Sequence, residues 1–228
     1  MRPVERGAAP RTYRRYQDAI GDLEARLGSY CSYCERKLST GLAVEHIQPK
    51  ILYPDLETEW TNFLLGCANC NSTKGDKDVD ILNFLWPHLD NTLLAFVYSK
   101  GGFVQLHENL TAAQAIRAQA ILDLVGLQRH QAPGWKTPSP RDKRWLDREQ
   151  VWAAAERSRD LFEALNRSEA AKKLVLEVAQ SSSFFSVWIT VFEAYSDIKK
   201  ELIQFFPGTS SSCFDPDGMP LNRPGRII

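Results

Sequence analysis

Two Cys-x-x-Cys pairs, Cys31 with Cys34 and Cys67 with Cys70, constrain this chain more than any other feature. Each pair is a chelating half-site, and two half-sites supply the four thiolates that tetrahedral zinc takes. The chain between them must double back so that both ends meet at one metal. Four cysteine ligands also close the coordination shell, so such an ion clamps the fold and performs no chemistry. A stretch this short cannot bury enough apolar surface to fold alone, and structural zinc adds on the order of 10 kcal/mol of metal-coupled stability. The N-terminus has no apolar leader, and no run approaches the roughly 18 apolar residues of a membrane span. The expected location is therefore cytoplasmic with no membrane contact, where thiols stay reduced and bind metal rather than pair as disulfides. Cys213 has no partner in the sequence and reads as a plain thiol.

Between the pairs, Leu42 to Ile47 reads as a strand closed by Pro49, and Tyr53 to Thr61, with Pro54 and several acids, as a loop. Asn62 to Gly66 reads as a second, buried strand, and Ala68 to Lys74 as the opening of a helix whose first turn holds Cys70 and Asn71. Glu45 and His46 are neighbours on the first strand, so their side chains leave on opposite faces unless the strand twists or ends there. Histidine is the side chain best matched to taking a proton from water near neutral pH. An oxygen pair from Glu45 and Asn71 suits a hard divalent ion, Mg²⁺ or Mn²⁺.

Taken together, Cys31-x-x-Cys34, Val44-Glu45-His46-Ile47-x-Pro49, Trp60-x-Asn62 and Cys67-x-x-Cys70-Asn71-x-x-Lys74 resemble an HNH endonuclease of the zinc-clamped ββα-metal kind. The resemblance implies an α+β chain: a small treble-clef-like module over residues 29–80, after an N-terminal helical segment 1–28 and before a mainly helical region 81–228. It implies His46 as general base, Asn62 as the residue that orients it, Glu45 and Asn71 as ligands of the catalytic metal, and the four cysteines on structural zinc. Lys74 and Lys50 are the expected nucleic-acid contacts, with a plain surface role as the alternative for Lys74. Two positions depart from the family's pattern. Glu45 stands where Asp is commoner, and Asn71 stands where a final His is common; both keep oxygen ligation. The motifs Tyr-Cys-Ser-Tyr-Cys-Glu-Arg, Val-Glu-His-Ile-x-Pro-Lys and Leu-Trp-Pro-x-x-Asp-Asn-Thr are further similar to the HNH components of Septu anti-phage systems. That narrower resemblance implies an ABC-type ATPase partner and a nucleic-acid substrate, DNA more than RNA. Two rivals stand beside it: a non-catalytic zinc-clamped binding module, and an effector that is silent until a partner releases it.

Charge does not choose among these. Lys and Arg number 28, as do Asp and Glu, so net charge is zero and affinity for nucleic acid has to come from local patches or a partner. Apolar residues from Arg11 to Leu27 recur near helical spacing, with Gly28 as the stop and a basic face that is solvated or meets phosphate. Leu93 to Tyr98 and Phe103 to Leu106 predict a hairpin, and Thr111 caps a helix over Ala112 to Val125. Arg141, Lys143, Arg144 and Arg148, after a proline-bearing loop, make either a backbone-phosphate patch or a solvated linker. His88 and His107 read as structural, and His130 has no evident partner. Val151 to Leu165 marks an amphipathic helix and Leu174 to Val178 a shorter one. Trp188 to Phe205 predicts one long apolar helical stripe, either core or a docking face, and the tail from Thr209 is expected to be extended or ordered only on contact.

Overall fold

The computed structural model describes residues 1–228. Its centre is a two-stranded antiparallel hairpin, β1 (Leu42–His46) against β2 (Phe63–Cys67), with Leu42 opposite Cys67 and His46 opposite Phe63. This register places the cysteine cluster and His46 at opposite ends of one hairpin, about 13 Å apart at the usual strand rise. The second strand begins one residue later than the pattern predicts. Asn62 closes a short 3-10 turn (Trp60–Asn62), and its side chain is used to hold the loop.

Helix α2 (Ala68–Lys74) starts at a cysteine: Cys67 is its N-cap, and the Cys67 sulfur accepts the backbone N–H of Cys70 at 3.5 Å. The other half-site is a tight knuckle. Glu35, left-handed at φ 66°, donates its N–H to Cys31 O, and Cys31 N–H returns to Arg36 O. Ser32 docks the knuckle on β2 through bonds to the N–H and carbonyl of Leu65.

The first helix is shorter than predicted. Residues 11–15 are outside any helix, a 3-10 turn covers Tyr16–Ala19, and α1 spans Ile20–Leu27. Arg11 and Tyr13 both bond Asp22 in the first turn of α1, which folds this segment back along the helix instead of extending it. The predicted hairpin is present as β3 (Phe96–Ser99) and β4 (Phe103–Leu106), and α3 (Ala112–Val125) carries the full capping box of Thr111 and Gln114.

The remainder is helical: α4 (Arg144–Ala164), α5 (Glu169–Ser182), α6 (Phe185–Val191) and α7 (Ser196–Phe205). The long stripe is thus two helices. The β-branched run Ile189-Thr190-Val191 ends α6, Phe192 to Tyr195 turn, and Ser196-Asp197 open a new helix. Its aromatics are core: Trp188 stacks on Phe192 at 6.0 Å, and Phe162 of α4 meets Phe192 and Tyr195 edge-on. The tail is also more ordered than expected. Asn91 bonds the carbonyls of Cys213 and Leu221, Ser210 N–H reaches Pro3 O, and Arg223 is buried. One apolar core runs through all three segments, from Met1 to Ile228. No helix is long and apolar enough to cross a membrane.

Candidate active site and metal centre

The sulfurs of Cys31, Cys34, Cys67 and Cys70 lie within 4.8 Å of one another, all buried. Cys34 and Cys67 sulfurs are 3.6 Å apart, close to the roughly 3.8 Å edge of a tetrahedron with zinc–sulfur bonds of about 2.3 Å. The donor set fits structural zinc. Burial pushes the Cys31 and Cys70 thiols up, whereas hydrogen bonds with its neighbours hold Cys67 down.

Four thiolates around a dication carry net negative charge, and buried charge must be answered nearby. Arg144 answers it. Its guanidinium, 2% exposed, donates to the Cys70 sulfur at 3.0 Å, to the carbonyls of Val125 and Gly126, and to Asp142 at 2.6 Å. Arg148, one turn on, donates to the carbonyls of Gly102 and Leu127. Neither arginine belongs to a surface phosphate patch, because both face inward on the stripe that continues through Val151 and Ala155. That spacing of four, then three, then four was the signal available in the sequence.

At the far end of the hairpin, the His46 ring packs edge-on between Tyr16 (4.8 Å) and Phe63 (5.3 Å). Its Nε2 lies 2.9 Å from the carbonyl oxygen of Glu57. A carbonyl can only accept, so Nε2 carries the proton and Nδ1 the lone pair. Burial lowers the His46 pKa, the Glu57 carbonyl partly opposes this, and the charges of Lys50 and Lys74 lower it further. Asn62 makes no hydrogen bond to the ring. It accepts the N–H of Gln48 and donates to the carbonyls of Gln48 and Leu56, tying the end of β1 to the loop that presents Glu57. The Glu57 carbonyl is thus a partner of His46 that sequence reading missed, since a backbone oxygen leaves no residue signature.

Glu45 leaves β1 on the other face. It is 2% exposed, paired with Lys74 Nζ at 3.0 Å and receiving the Tyr33 hydroxyl at 3.4 Å on Oε1, while Oε2 stands over Gly66, where no Cβ intervenes. Burial raises the Glu45 pKa and Lys74 opposes this. Lys74 is no surface residue: it is buried, and it also donates to the His46 carbonyl at 2.7 Å. It shares a helix face with the buried Cys70, four residues before it, which turns it inward. Asn71, on the same helix, is partly exposed, and α2 packs against β1. Glu45 and Asn71 offer hard oxygen donors of the kind Mg²⁺ or Mn²⁺ takes. Lys50 is exposed, pairs with Glu57, and sets its ammonium over the Tyr16 ring at 4.3 Å.

A hairpin and helix clamped by four cysteines, with a carbonyl-held histidine at the free strand end, has a counterpart among known families. Residues 31–77 match the HNH endonuclease family model. The HNH domain therefore begins at the first zinc cysteine and ends just beyond α2. The Septu protein PtuB of Bacillus thuringiensis is 45% identical over 51 residues, 21% of this chain and 20% of that protein, so the chain spans about a fifth of that relative's length. The chain as a whole is α+β, a zinc-clamped HNH domain joined to a mainly helical remainder.

Proposed function

We propose that this protein is a metal-dependent HNH nuclease that hydrolyses phosphodiester bonds, those of DNA ahead of RNA. In this reading it is the cytoplasmic effector of an anti-phage complex with an ATPase partner. The observation that carries the chemistry is the 2.9 Å contact between His46 Nε2 and the Glu57 carbonyl. It fixes the tautomer and leaves Nδ1 as the basic atom, and the lowered pKa keeps the ring neutral at pH 7. His46 takes the proton of an attacking water at Nδ1. Asn62 keeps the Glu57 carbonyl in place by holding the loop, and Lys50, on the rim beside Tyr16, meets a flanking phosphate. Glu45 and Asn71 are the residues that would hold Mg²⁺ or Mn²⁺, which when bound supplies charge stabilisation for the phosphate and the departing oxygen. The defence role and the ATPase partner rest on the likeness to PtuB.

The test is cleavage of plasmid DNA and of total RNA with Mg²⁺, by wild type and His46→Ala, each alone and with an ATPase encoded beside it. Cleavage by wild type that the variant loses supports the reading and names the substrate. Equal cleavage by folded His46→Ala removes His46 from the base role. No cleavage by folded, zinc-loaded wild type under any condition favours a binding module.

A further inference from the structure

We propose that the cleft between the N-terminal segment, the Glu59–Thr61 turn and the C-terminal tail is a phosphate-binding site built by Arg6, Arg223, Arg226 and His88. The cleft measures about 330 Å³ and is lined by all four. Its arginines are aimed by backbone. Arg6 donates to the carbonyls of Thr61 and Phe63, and Arg223 to the carbonyl of Val4. Each guanidinium has five N–H donors, so both keep several free.

Glu5 is taken by Arg223, Glu59 stands on the same wall and Asp90 is near enough to feel Arg223 and Arg226, but neither Arg6 nor Arg226 is in an ion pair. His88 lies in the wall with Nδ1 buried and no hydrogen-bond partner. Burial, then the charges of Arg6, Arg223 and Arg226, pull the His88 pKa well down, so the ring faces these three cations as a neutral group. Burial likewise lowers the Arg6 pKa, to about 10. A group of one to two negative charges with several acceptor oxygens relieves this, and phosphate matches the guanidinium fork in a way that a point cation does not require.

The position gives the cleft a use. The carbonyls that Arg6 grips flank Asn62, and Phe63 is the strand partner of His46. A phosphate here is therefore seated at the start of the strand that pairs with the one carrying the proposed base. Its source is either the backbone of a nucleic-acid strand beyond the cut or a free nucleotide; the first of these rests on the nuclease reading.

The experiment is calorimetric titration of full-length, zinc-loaded His46→Ala protein with inorganic phosphate, with AMP and with a single-stranded DNA oligomer. Each is repeated in the Arg226→Glu and His88→Gln backgrounds. Arg226 is exposed, so its replacement leaves the fold and melting temperature unchanged. Expected are binding of phosphate-bearing probes and at least a tenfold loss in Arg226→Glu, with a smaller loss in His88→Gln. Tighter binding of the oligomer than of AMP assigns the strand backbone as the source, and the reverse assigns a nucleotide. Unchanged affinity for all three probes in both variants, or no binding to the parent protein, overturns the site. Because no cleavage is read, an inactive wild type would refute the nuclease and leave this result standing.

Discussion

Arg144, on the first turn of α4, donates a hydrogen bond to the sulfur of Cys70 at 3.0 Å, so the helical region reaches directly into the metal clamp of the HNH domain. Arg144 also closes α3 through the Val125 and Gly126 carbonyls and neutralises the buried Asp142. One side chain thus joins the zinc cluster, the end of one helix and the start of another.

Arg144→Met should therefore cost more than a surface arginine. It leaves the buried Asp142 carboxylate with only the backbone N–H of residue 144, a loss of about 3–5 kcal/mol, and removes an outer hydrogen bond to the metal site, worth about 10–100-fold in zinc affinity. Thermal melting and competition with a chromogenic chelator measure the two effects. Retention of both parent values would refute the outer-shell role.

Removing zinc should loosen more than the HNH domain. The knuckle residue Glu35 accepts the N–H and hydroxyl of Ser186 at the start of α6, and Cys70 holds Arg144, so both helix starts lean on the clamp. After chelation, hydrogen exchange is expected to rise in residues 31–74 together with the first turns of α4 and α6, while the body of α5 stays protected. Exchange confined to the cysteine segments would contradict this.

The helix of the HNH domain was legible because its signal is local: the buried strand gives way to a segment whose first turn holds Cys70 and Asn71. The capping box of α3 was legible for the same reason. What escaped reading depends on the third dimension. Nothing in the run from Trp188 to Phe205 outweighed its apolar spacing, yet β-branched residues and a fresh N-terminal Ser-Asp split it into two helices. Charged residues were read by type as phosphate contacts or solvated surface, whereas Lys74, Arg144 and Arg148 are buried because each finds carbonyls or an opposite charge inside. The partner of His46 is a backbone carbonyl from a loop eleven residues away, which no side chain announces.

Acidity should act on cleavage through His46. Its pKa lies below the ordinary histidine value, so the rate is expected to climb with pH and flatten before the usual imidazole range is passed. Lys50 is one cause of the lowering, so Lys50→Gln should move the acid limb to higher pH, as a pH–rate profile of kcat will show. The stability contribution has the matching sign. The unfolded chain binds this proton more readily, so the term is present above about pH 6.5 and is lost as pH falls through the lower folded value. An acid limb that Lys50→Gln leaves in place would separate the profile from His46.

The Glu45–Lys74 pair permits a sharper separation of fold from chemistry. Both side chains are nearly inaccessible, 2% and 3% exposed, so Lys74→Met strands a carboxylate in the interior and should lower stability by about 3–5 kcal/mol. Glu45→Gln strands the ammonium instead, although Lys74 keeps its bond to the His46 carbonyl and the loss should be smaller. Combining Glu45→Gln with Lys74→Met removes both charges, and the melting temperature should recover most of the distance to wild type. Cleavage should not recover, because the amide is a poorer ligand for a hard divalent ion than the carboxylate it replaces. A double variant that is stable and fully active would show that Glu45 serves only the ion pair, and the catalytic metal would then have to be held elsewhere.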